Sequence, residues 1–240
     1  MPSAAAVIIG NEILTGKFAD ENGPFLIRRL RALGTDLVRL VTIPDTLDVI
    51  AGEVRACSSA CDFVFTTGGV GPTHDDVTLE GIALAFGRPL VVADRLVDLM
   101  KRYEIEVNDM TLRMAQVPEG TVLVDSPGSS YPVLRCENVW IFPGVPRLMQ
   151  SKFEALAPTF AGQAVHTDRL YVTAWESDIA ADLASVASAH DTVEIGSYPR
   201  YGEGDYNVIV TLESRDPAAL ASAAAELRGT LPLLEASKPV

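Results

Sequence analysis

The sequence predicts an α/β protein, built as a three-layer sandwich around a mainly parallel sheet and followed by a small α+β subdomain. Short apolar runs alternate with helical segments along most of the chain, a pattern typical of parallel strands joined by right-handed helical crossovers. A glycine-rich loop directly follows one apolar run, as at the ligand-binding edge of an open parallel sheet. The order of strands and helices restarts after about Gly162, so we predict two domains, residues 1–164 and 165–240.

The first half of the chain predicts three strands, each followed by a polar loop and a helix. Residues 4–9 form a continuous apolar run, as expected of a strand buried on both faces of its sheet. Proline suits the first turn of a helix and glycine its end, which places the next helix between Pro24 and Gly34. Asp45 stands where it can cap the second of these helices, residues 47–60. The remaining predicted strands are 37–43 and 63–65, and the remaining helices are 47–60 and 77–86.

The second half predicts the completion of the sandwich and then the subdomain. The helical pattern is predicted to continue over residues 93–116, and a closing helix is predicted over residues 148–161. Three short strands between them are predicted at residues 122–124, 133–136 and 139–142. In the subdomain the predicted strands are residues 170–174, 193–198 and 208–212, and the predicted helices are residues 179–189 and 217–228.

Composition excludes several classes of partner. The chain of 240 residues has 19 Lys and Arg against 32 Asp and Glu, a formal net charge of −13, and it lacks the basic clusters that nucleic-acid binding requires. No apolar run approaches the roughly 20 residues of a membrane span, and the N-terminus does not resemble a signal peptide. Three cysteines are too few for a disulfide scaffold. We therefore expect a cytoplasmic protein that binds neither nucleic acid nor membrane.

The strongest local signal is the glycine loop, defined as residues 66–78. Gly68, Gly69 and Gly71 follow a buried strand and lead into a helix, so backbone amides and the helix dipole are expected to hold a phosphate there. Two adjacent carboxylates, Asp75 and Asp76, would repel such a ligand unless a cation such as Mg²⁺ lay between them. The alternative is a tight turn in which Asp76 or Thr78 caps the helix.

Two further loops are expected at the same edge of the sheet. Glu12, Asp20 and Asn22 follow the first strand, and they are expected to meet Asp76 across the crevice. Pro143 and Gly144 lead from another strand into the closing helix. The structural alternative for the first loop is solvation and capping of the Pro24 helix. For the second loop it is a rigid turn.

Together these three loops resemble the molybdopterin-binding domain shared by molybdenum-cofactor biosynthesis proteins and the N-terminal part of competence/damage-inducible protein A. The resemblance covers residues 4–161 and is most specific in the glycine loop with its ending Asp76-Val77-Thr78. The stretch Ile195-Gly196-Ser197-Tyr198-Pro199 is similar to the region after this domain in the competence proteins and the FAD synthases. Asn11 stands where relatives often carry Asp, which weakens a metal-ligand role there.

The resemblance implies particular ligands and roles. Asp76 and Asp75 are the implied catalytic carboxylates, and Asp76, Glu12 and Asp20 the implied metal ligands. The implied ligand-binding residues are Gly68, Gly69, Gly71, Thr73, Thr78, Asn22, Pro143 and Gly144. The expected cofactor is a divalent metal (Mg²⁺, Mn²⁺ or Co²⁺), with K⁺ as a further candidate and no haem, flavin or zinc group. The chain is expected to form a dimer or trimer.

Three functions remain open from the sequence. The leading hypothesis is a metal-dependent pyrophosphatase acting on ADP-ribose or FAD. The alternatives are molybdopterin binding or adenylylation in molybdenum-cofactor assembly, and a non-catalytic module that binds AMP or a related nucleotide. The sequence ends at Val240, without the amidohydrolase domain of competence proteins or the adenylyltransferase domain of FAD synthases, so FAD synthesis is not expected.

Overall fold

The computed structural model describes residues 1–200, 202 and 205–234, and it divides into two compact units, Met1–Gly162 and the chain from Gln163 onward. The predicted fold class is confirmed, because helices cover a mainly parallel sheet in the first unit and a small antiparallel α+β unit follows. Residues 235–240 of the predicted second domain lie outside the described residues. Within the described part, no helix is both long enough and apolar enough to cross a membrane.

The first unit contains the elements that build the site. Its strands are β1 (Ser3–Ile9), β2 (Asp36–Ile43), β3 (Phe63–Thr67), β4 (Leu90–Val92), β5 (Gln116–Pro118), β6 (Val122–Val124), β7 (Val133–Cys136) and β8 (Val139–Phe142). Its α-helices are α1 (Asn11–Leu14), α2 (Asn22–Leu33), α3 (Leu47–Ala60), α4 (Thr78–Phe86), α5 (Asp94–Arg102), α6 (Asp109–Leu112) and α7 (Pro146–Leu156). Two 3-10 helices, Arg113–Ala115 and Ala157–Phe160, follow α6 and α7.

Six strands form the main sheet in the order β2-β1-β3-β8-β7-β6. The neighbours β2, β1, β3 and β8 pair in parallel, whereas β7 and β6 are antiparallel. The loops after the four parallel strands therefore leave from the same edge of the sheet. This is the edge at which open α/β sheets bind their ligands.

The central strand β1 shows why helices cover both faces of this sheet. Ala5, Val7 and Ile9 point into a core shared with α3 and α4. The alternate residues Ala4 and Ala6 point into a second core rich in phenylalanine. The aromatic residues of that second core are Phe65, Trp140, Phe142, Phe153 and Phe160. Because every side chain of residues 4–9 is buried, the strand reads as one apolar run rather than an alternating one.

The predicted helix over residues 93–116 is wrong in its middle and at its end. The chain leaves the helix after Arg102, and Glu104 takes a left-handed conformation with φ 56°. A new helix, α6, follows the N-cap Asn108, whose side chain accepts hydrogen bonds from the amides of Met110 and Thr111. Gln116 then begins β5, which pairs with β4, and neither strand was predicted. Three-residue strands such as these lack the length for a periodic signal.

Two other boundaries differ from the prediction for local reasons. The closing helix starts at Pro146 rather than residue 148, since proline fits the first helical position, and it tightens into a 3-10 turn from Ala157. Asp45 does not cap α3. The N-cap is Thr46, and the Asp45 carboxylate instead accepts a hydrogen bond of 2.7 Å from the Asn11 amide.

The second unit is a three-stranded antiparallel sheet packed against two helices. Its elements are β9 (His166–Val172), α8 (Glu176–Ala189), β10 (Glu194–Pro199), β11 (Val208–Ser214) and α9 (Pro217–Thr230), with strand order β10-β11-β9. Val208, Val210 and Leu212 alternate on the inner face of β11, where they pack into the core that contains Leu227 of α9. Asp216 caps α9 by accepting hydrogen bonds from the first-turn amides. This unit matches the predicted small α+β fold.

Candidate functional site

A cleft of about 760 Å³ opens at the carboxyl edge of the parallel strands. We call it the edge cleft. Its size falls within the range of small-molecule sites. Its polar lining comes from the loop after β1, the glycine loop after β3 and the loop after β8, and α7 adds one further wall. The predicted site residues that line it are Glu12, Asp20, Asn22, Gly68, Gly69, Gly71, Asp76, Pro143 and Gly144.

The glycine loop lines this cleft and contains backbone amides that make no hydrogen bond within the described residues. Gly68 and Gly69 both have positive φ, 99° and 62°, which turns the chain sharply after β3. The Gly68 amide is used within the fold, because it donates to the Phe142 carbonyl at 3.3 Å. By contrast, the amides of Gly69, Val70 and Gly71 have no acceptor among the described residues. The amides left free to bind an anion are therefore those of residues 69–71, because the Gly68 amide already has an acceptor within the fold.

Thr78 supports the loop from behind and does not line the cleft. Its side chain is fully buried, and its hydroxyl donates to the Gly68 carbonyl at 2.9 Å. Its amide donates to the Gly69 carbonyl at 3.0 Å. The N-cap of α4 is Val77, and neither Asp76 nor Thr78 caps that helix through its side chain. The alternative of a helix cap is therefore wrong, although a structural role for Thr78 is clear.

The two adjacent carboxylates of the loop have different surroundings. Asp76 lines the cleft, and its Oδ2 accepts hydrogen bonds from the amide of Thr73 at 2.9 Å and from the Thr73 hydroxyl. Asp75 is exposed beside His74 and does not line the cleft. Thr73 also does not line the cleft, and its hydrogen bonds to Asp76 stabilise the loop. The structure thus favours Asp76 over Asp75 as the carboxylate that can meet a ligand.

Arg113 holds this part of the loop in place. Its Nη1 donates to the Thr73 carbonyl at 3.0 Å, and its Nη2 donates to the Asp76 carbonyl at 3.1 Å. Nη2 also pairs with Glu80 at 3.0 Å. The guanidinium therefore fixes both ends of the turn that carries the Asp76 carboxylate. Arg113 was not among the predicted site residues, since it lies in a segment predicted to be plain helix.

Asp20 and Asn22 connect the loop after β1 to the rest of the edge. Asp20 accepts hydrogen bonds from the amides of Asn22 and Gly23, at 2.9 and 3.0 Å, so it supports the start of α2. Asn22 is buried, and its Nδ2 donates to the Gly144 carbonyl at 2.8 Å. Asn22 Oδ1 is buried without a partner among the described residues. Asn22 therefore ties two of the three predicted loops together and keeps one unused acceptor.

The side chains of the cleft suit a hard divalent cation in their chemistry. Glu12, Asp20 and Asp76 supply carboxylate oxygens, which are the donors that Mg²⁺ and Mn²⁺ prefer. Among the described residues, however, no three His, Cys, Asp or Glu side chains are grouped closely enough to hold a metal by themselves. Mg²⁺ commonly binds through one or two carboxylates and the phosphates of its ligand. The arrangement fits a cation that arrives with a phosphorylated ligand.

Asp45 is a further carboxylate at this edge. A Cβ added to Gly69 would lie 3.4 Å from its Oδ1, so the carboxylate faces the glycine loop. Burial raises the pKa of Asp45, and the charges of Glu12 and Asp75 raise it further, while the hydrogen bond from Asn11 acts in the opposite direction. Carboxylates from the loops after β1, β2 and β3 therefore repel one another in the free protein. Such mutual repulsion is typical of sites that take up a cation.

We expect Asp45→Asn to raise the melting temperature of the free protein at pH 7. The folded-state pKa of Asp45 lies above its unfolded value, so the ionised side chain costs stability above that pKa and costs none below the unfolded value. Asn keeps an oxygen that can accept from the Asn11 amide and carries no charge. Thermal unfolding of both proteins at pH 7 and at about pH 4 measures the difference, which should shrink in acid. A lower melting temperature of the variant at pH 7 would contradict this account.

Lys152 is the other feature of the cleft that the sequence analysis missed. Lys152 is only 8% exposed, which is unusual for a lysine on a helix. Nζ donates to the Ser129 hydroxyl at 3.0 Å and to the Tyr131 carbonyl, and it lies 5.7 Å from the centre of the Tyr131 ring. Burial lowers the pKa of Lys152 and raises that of Tyr131 to about 12. The apolar surroundings of this wall therefore disfavour charge.

Comparison with known proteins places this architecture in a family. The family model described as a probable molybdopterin binding domain matches residues 5–162, and that of the FAD synthase middle domain matches residues 164–238. An Archaeoglobus fulgidus protein is 37% identical over 88% of this chain and 90% of its own length. A probable FAD synthase from Caenorhabditis briggsae is 33% identical over 91% of this chain, and the match spans 47% of its length.

A solved structure extends this likeness to three dimensions. The crystal structure of the protein CinA from Thermoplasma acidophilum aligns with a TM-score of 0.61 and 32% identity, covering 67% of this chain and 99% of that one. The two consecutive family matches and this structural likeness confirm the resemblance found in the sequence. The chain belongs to the molybdopterin-binding domain family, and in this chain that domain is followed by a match to the FAD synthase middle domain.

Proposed function

We propose that the first unit is a metal-dependent pyrophosphatase that cleaves the diphosphate linkage of a nucleotide such as ADP-ribose or FAD. The observation that carries the proposal is the arrangement of the glycine loop. The free amides of Gly69, Val70 and Gly71 stand in the same cleft as the carboxylate of Asp76. Free amides attract a phosphate, whereas the nearby carboxylate repels it. A ligand that combines an anionic group with a bound cation satisfies both.

The walls of the cleft suit the remainder of a nucleotide. Beyond the polar loops, apolar side chains line it, which favours a flat ring over a fully polar ligand. These residues are Leu79, Met114, Pro132, Leu134 and Ile141. A volume of about 760 Å³ accommodates a base, a sugar and a diphosphate. The name of the C. briggsae relative, a probable FAD synthase, also supports a nucleotide ligand.

Each residue then has a defined task. The amides of residues 69–71 bind and orient a phosphoryl group, and the dipole of α4 favours its negative charge. Asp76, with Glu12 or Asp20, would hold the cation, and Arg113 keeps the Asp76 turn rigid. A divalent cation, when bound, neutralises phosphoryl oxygens and lowers the pKa of a coordinated water. Asn22 holds the loops after β1 and β8 together beside the ligand through its hydrogen bond to Gly144.

One alternative has an observation in its favour. The matching family model is described as a probable molybdopterin binding domain, so a phosphorylated pterin is the second candidate ligand. The same amides would bind its phosphate, and the same apolar wall would receive its ring. In that case the protein would bind or adenylylate the pterin and would not cleave a diphosphate.

A substrate screen tests the proposal. We expect the purified protein to release AMP from ADP-ribose or FAD with Mg²⁺, Mn²⁺ or Co²⁺, and to release none when EDTA replaces the metal. ATP with a pterin substrate tests adenylylation in parallel, and NAD serves as a competing diphosphate. Absence of AMP release from every diphosphate, under conditions where the ligands bind, would overturn the hydrolase and leave the pterin or binding-module function.

A further inference from the structure

Lys152 lies on the buried side of α7, at a position where an apolar residue would be expected. Met149, Phe153 and Leu156 occupy the same side of the helix, and all three are buried. Lysine is almost never fully buried unless its charge is paired. A lysine kept in this position therefore indicates a use for the charge that an apolar residue could not serve.

The partners of Lys152 within the protein are neutral. Its ammonium has three hydrogens to donate, and two of them go to the Ser129 hydroxyl and the Tyr131 carbonyl. The Ser129 hydroxyl itself donates to the Tyr131 carbonyl, so these groups form a closed set of neutral acceptors. No carboxylate lies within salt-bridge distance of Lys152 among the described residues. The third hydrogen and the full charge thus remain without a counterpart in the described part of the protein.

The charges along the edge cleft are unevenly distributed. Its lining carries four carboxylates, Glu12, Asp20, Glu21 and Asp76, whereas Lys152 is the one cationic side chain that the described residues contribute. The carboxylates come from the loops after β1 and β3, and the lysine comes from α7 two turns beyond the loop after β8. A ligand in this cleft therefore meets acidic loops in one part and a buried ammonium in another.

We propose that Lys152 is an anion-binding residue of the edge cleft, and that it holds a phosphoryl group that carries no metal. The inference rests on the proposed function in its choice of ligand, a nucleotide diphosphate. One phosphoryl group would be held with the cation at the glycine loop and Asp76. The other would be held by Lys152, because its negative charge would balance the unpaired charge of the lysine. The substrate class is then a diphosphate or longer, since the proposal assigns the two positions to two phosphoryl groups.

In this role the charge of Lys152 lowers the stability of the free protein and raises its affinity for the ligand. A buried charge with no counter-ion costs free energy in the free protein, and replacing buried charges with apolar residues of similar size is often neutral or stabilising. We expect Lys152→Met to melt at or above the temperature of the wild type. We expect its affinity for AMP and for inorganic pyrophosphate, measured in EDTA, to fall on the order of 10²-fold, because the ligand's anion loses a buried charged partner.

Calorimetric titration and melting curves on the full chain test both expectations together. Lys152→Arg keeps the charge and should bind AMP better than the Met variant, while Lys101→Met, an exposed lysine of α5, controls for the loss of one positive charge. Lys152→Gln keeps a donor without the charge and provides a second route should the Met variant fold poorly. Omitting the metal separates anion binding from turnover.

Each outcome decides the proposal. Normal melting with lost affinity supports it, even if the wild type releases no AMP from ADP-ribose or FAD, in which case only the hydrolase function falls. Wild-type affinity in the Met variant would overturn it, as would a wild type that binds neither AMP nor pyrophosphate in EDTA. Strong destabilisation of both the Met and the Gln variants would also overturn it, because the charge would then serve the fold.

Discussion

Asp76→Asn is expected to abolish metal-dependent release of AMP while leaving the protein folded. The Asn side chain has the same size, and its oxygen can accept the hydrogen bonds that Asp76 Oδ2 accepts from Thr73. The change from a charged to a neutral acceptor should cost about 1 kcal/mol of stability. Substituting a partner in the outer shell of a metal site typically costs about 10- to 100-fold in activity. Substituting a direct metal ligand should cost more, so we expect a loss on the order of 10²-fold or more.

The neighbouring carboxylate provides the comparison. Asp75→Asn removes the same charge one residue away, but the Asp75 side chain is exposed and does not line the edge cleft. It should therefore retain most of the turnover. Rates at several Mn²⁺ concentrations separate weakened metal binding, which excess metal restores, from loss of the chemical step. Equal losses in the two variants would mean that the local negative field matters and that Asp76 has no specific role as a ligand.

The parts of this protein that the sequence predicted are those whose signal is local. Residues 4–9 are buried on both faces and therefore form an unbroken apolar run, and Gly34 ends α2 because it adopts the left-handed conformation that glycine favours. The glycine loop was found for the same reason, since its composition, the strand before it and the helix after it are contiguous in the chain. Glu104, by contrast, takes a left-handed conformation that its residue type does not indicate, so the end of α5 was missed.

The site residues that were missed depend on contacts between distant segments. Asp45 has the sequence context of a helix cap, but the Asn11 amide, 34 residues earlier, takes its carboxylate instead. Arg113 acts on a turn about 40 residues away in the sequence. Lys152 did leave a trace, because it stands three residues after Met149 and four before Leu156 on the apolar side of α7. A lysine inside an apolar helical stripe is therefore a signal worth testing for burial.

Gly68→Ala is expected to be among the most destabilising single substitutions in the first unit. A Cβ on Gly68 would lie 2.1 Å from the Ile9 carbonyl oxygen, and φ at this position is +99°. Ile9 ends the central strand β1, so neither backbone can move without disturbing the sheet. Strain of about 1–3 kcal/mol from the backbone conformation adds to the clash, and we expect a total loss of about 3 kcal/mol or more in denaturant unfolding.

Gly69→Ala should behave differently, although the two glycines are adjacent. A Cβ on Gly69 would meet the side-chain oxygen of Thr78 at 2.4 Å, and a side chain can yield where the backbone of a central strand cannot. The left-handed conformation costs Ala roughly 1–2 kcal/mol, so the protein should stay folded. The displaced loop would no longer present the amides of residues 69–71 together, and affinity for AMP measured with Mg²⁺ should fall by more than stability does. Denaturant unfolding and calorimetric titration of both variants give the two effects separately. Equal destabilisation by the two substitutions, or full affinity for AMP with Mg²⁺ in Gly69→Ala, would show that the glycines serve the turn alone and that the metal-bound phosphate lies elsewhere in the cleft.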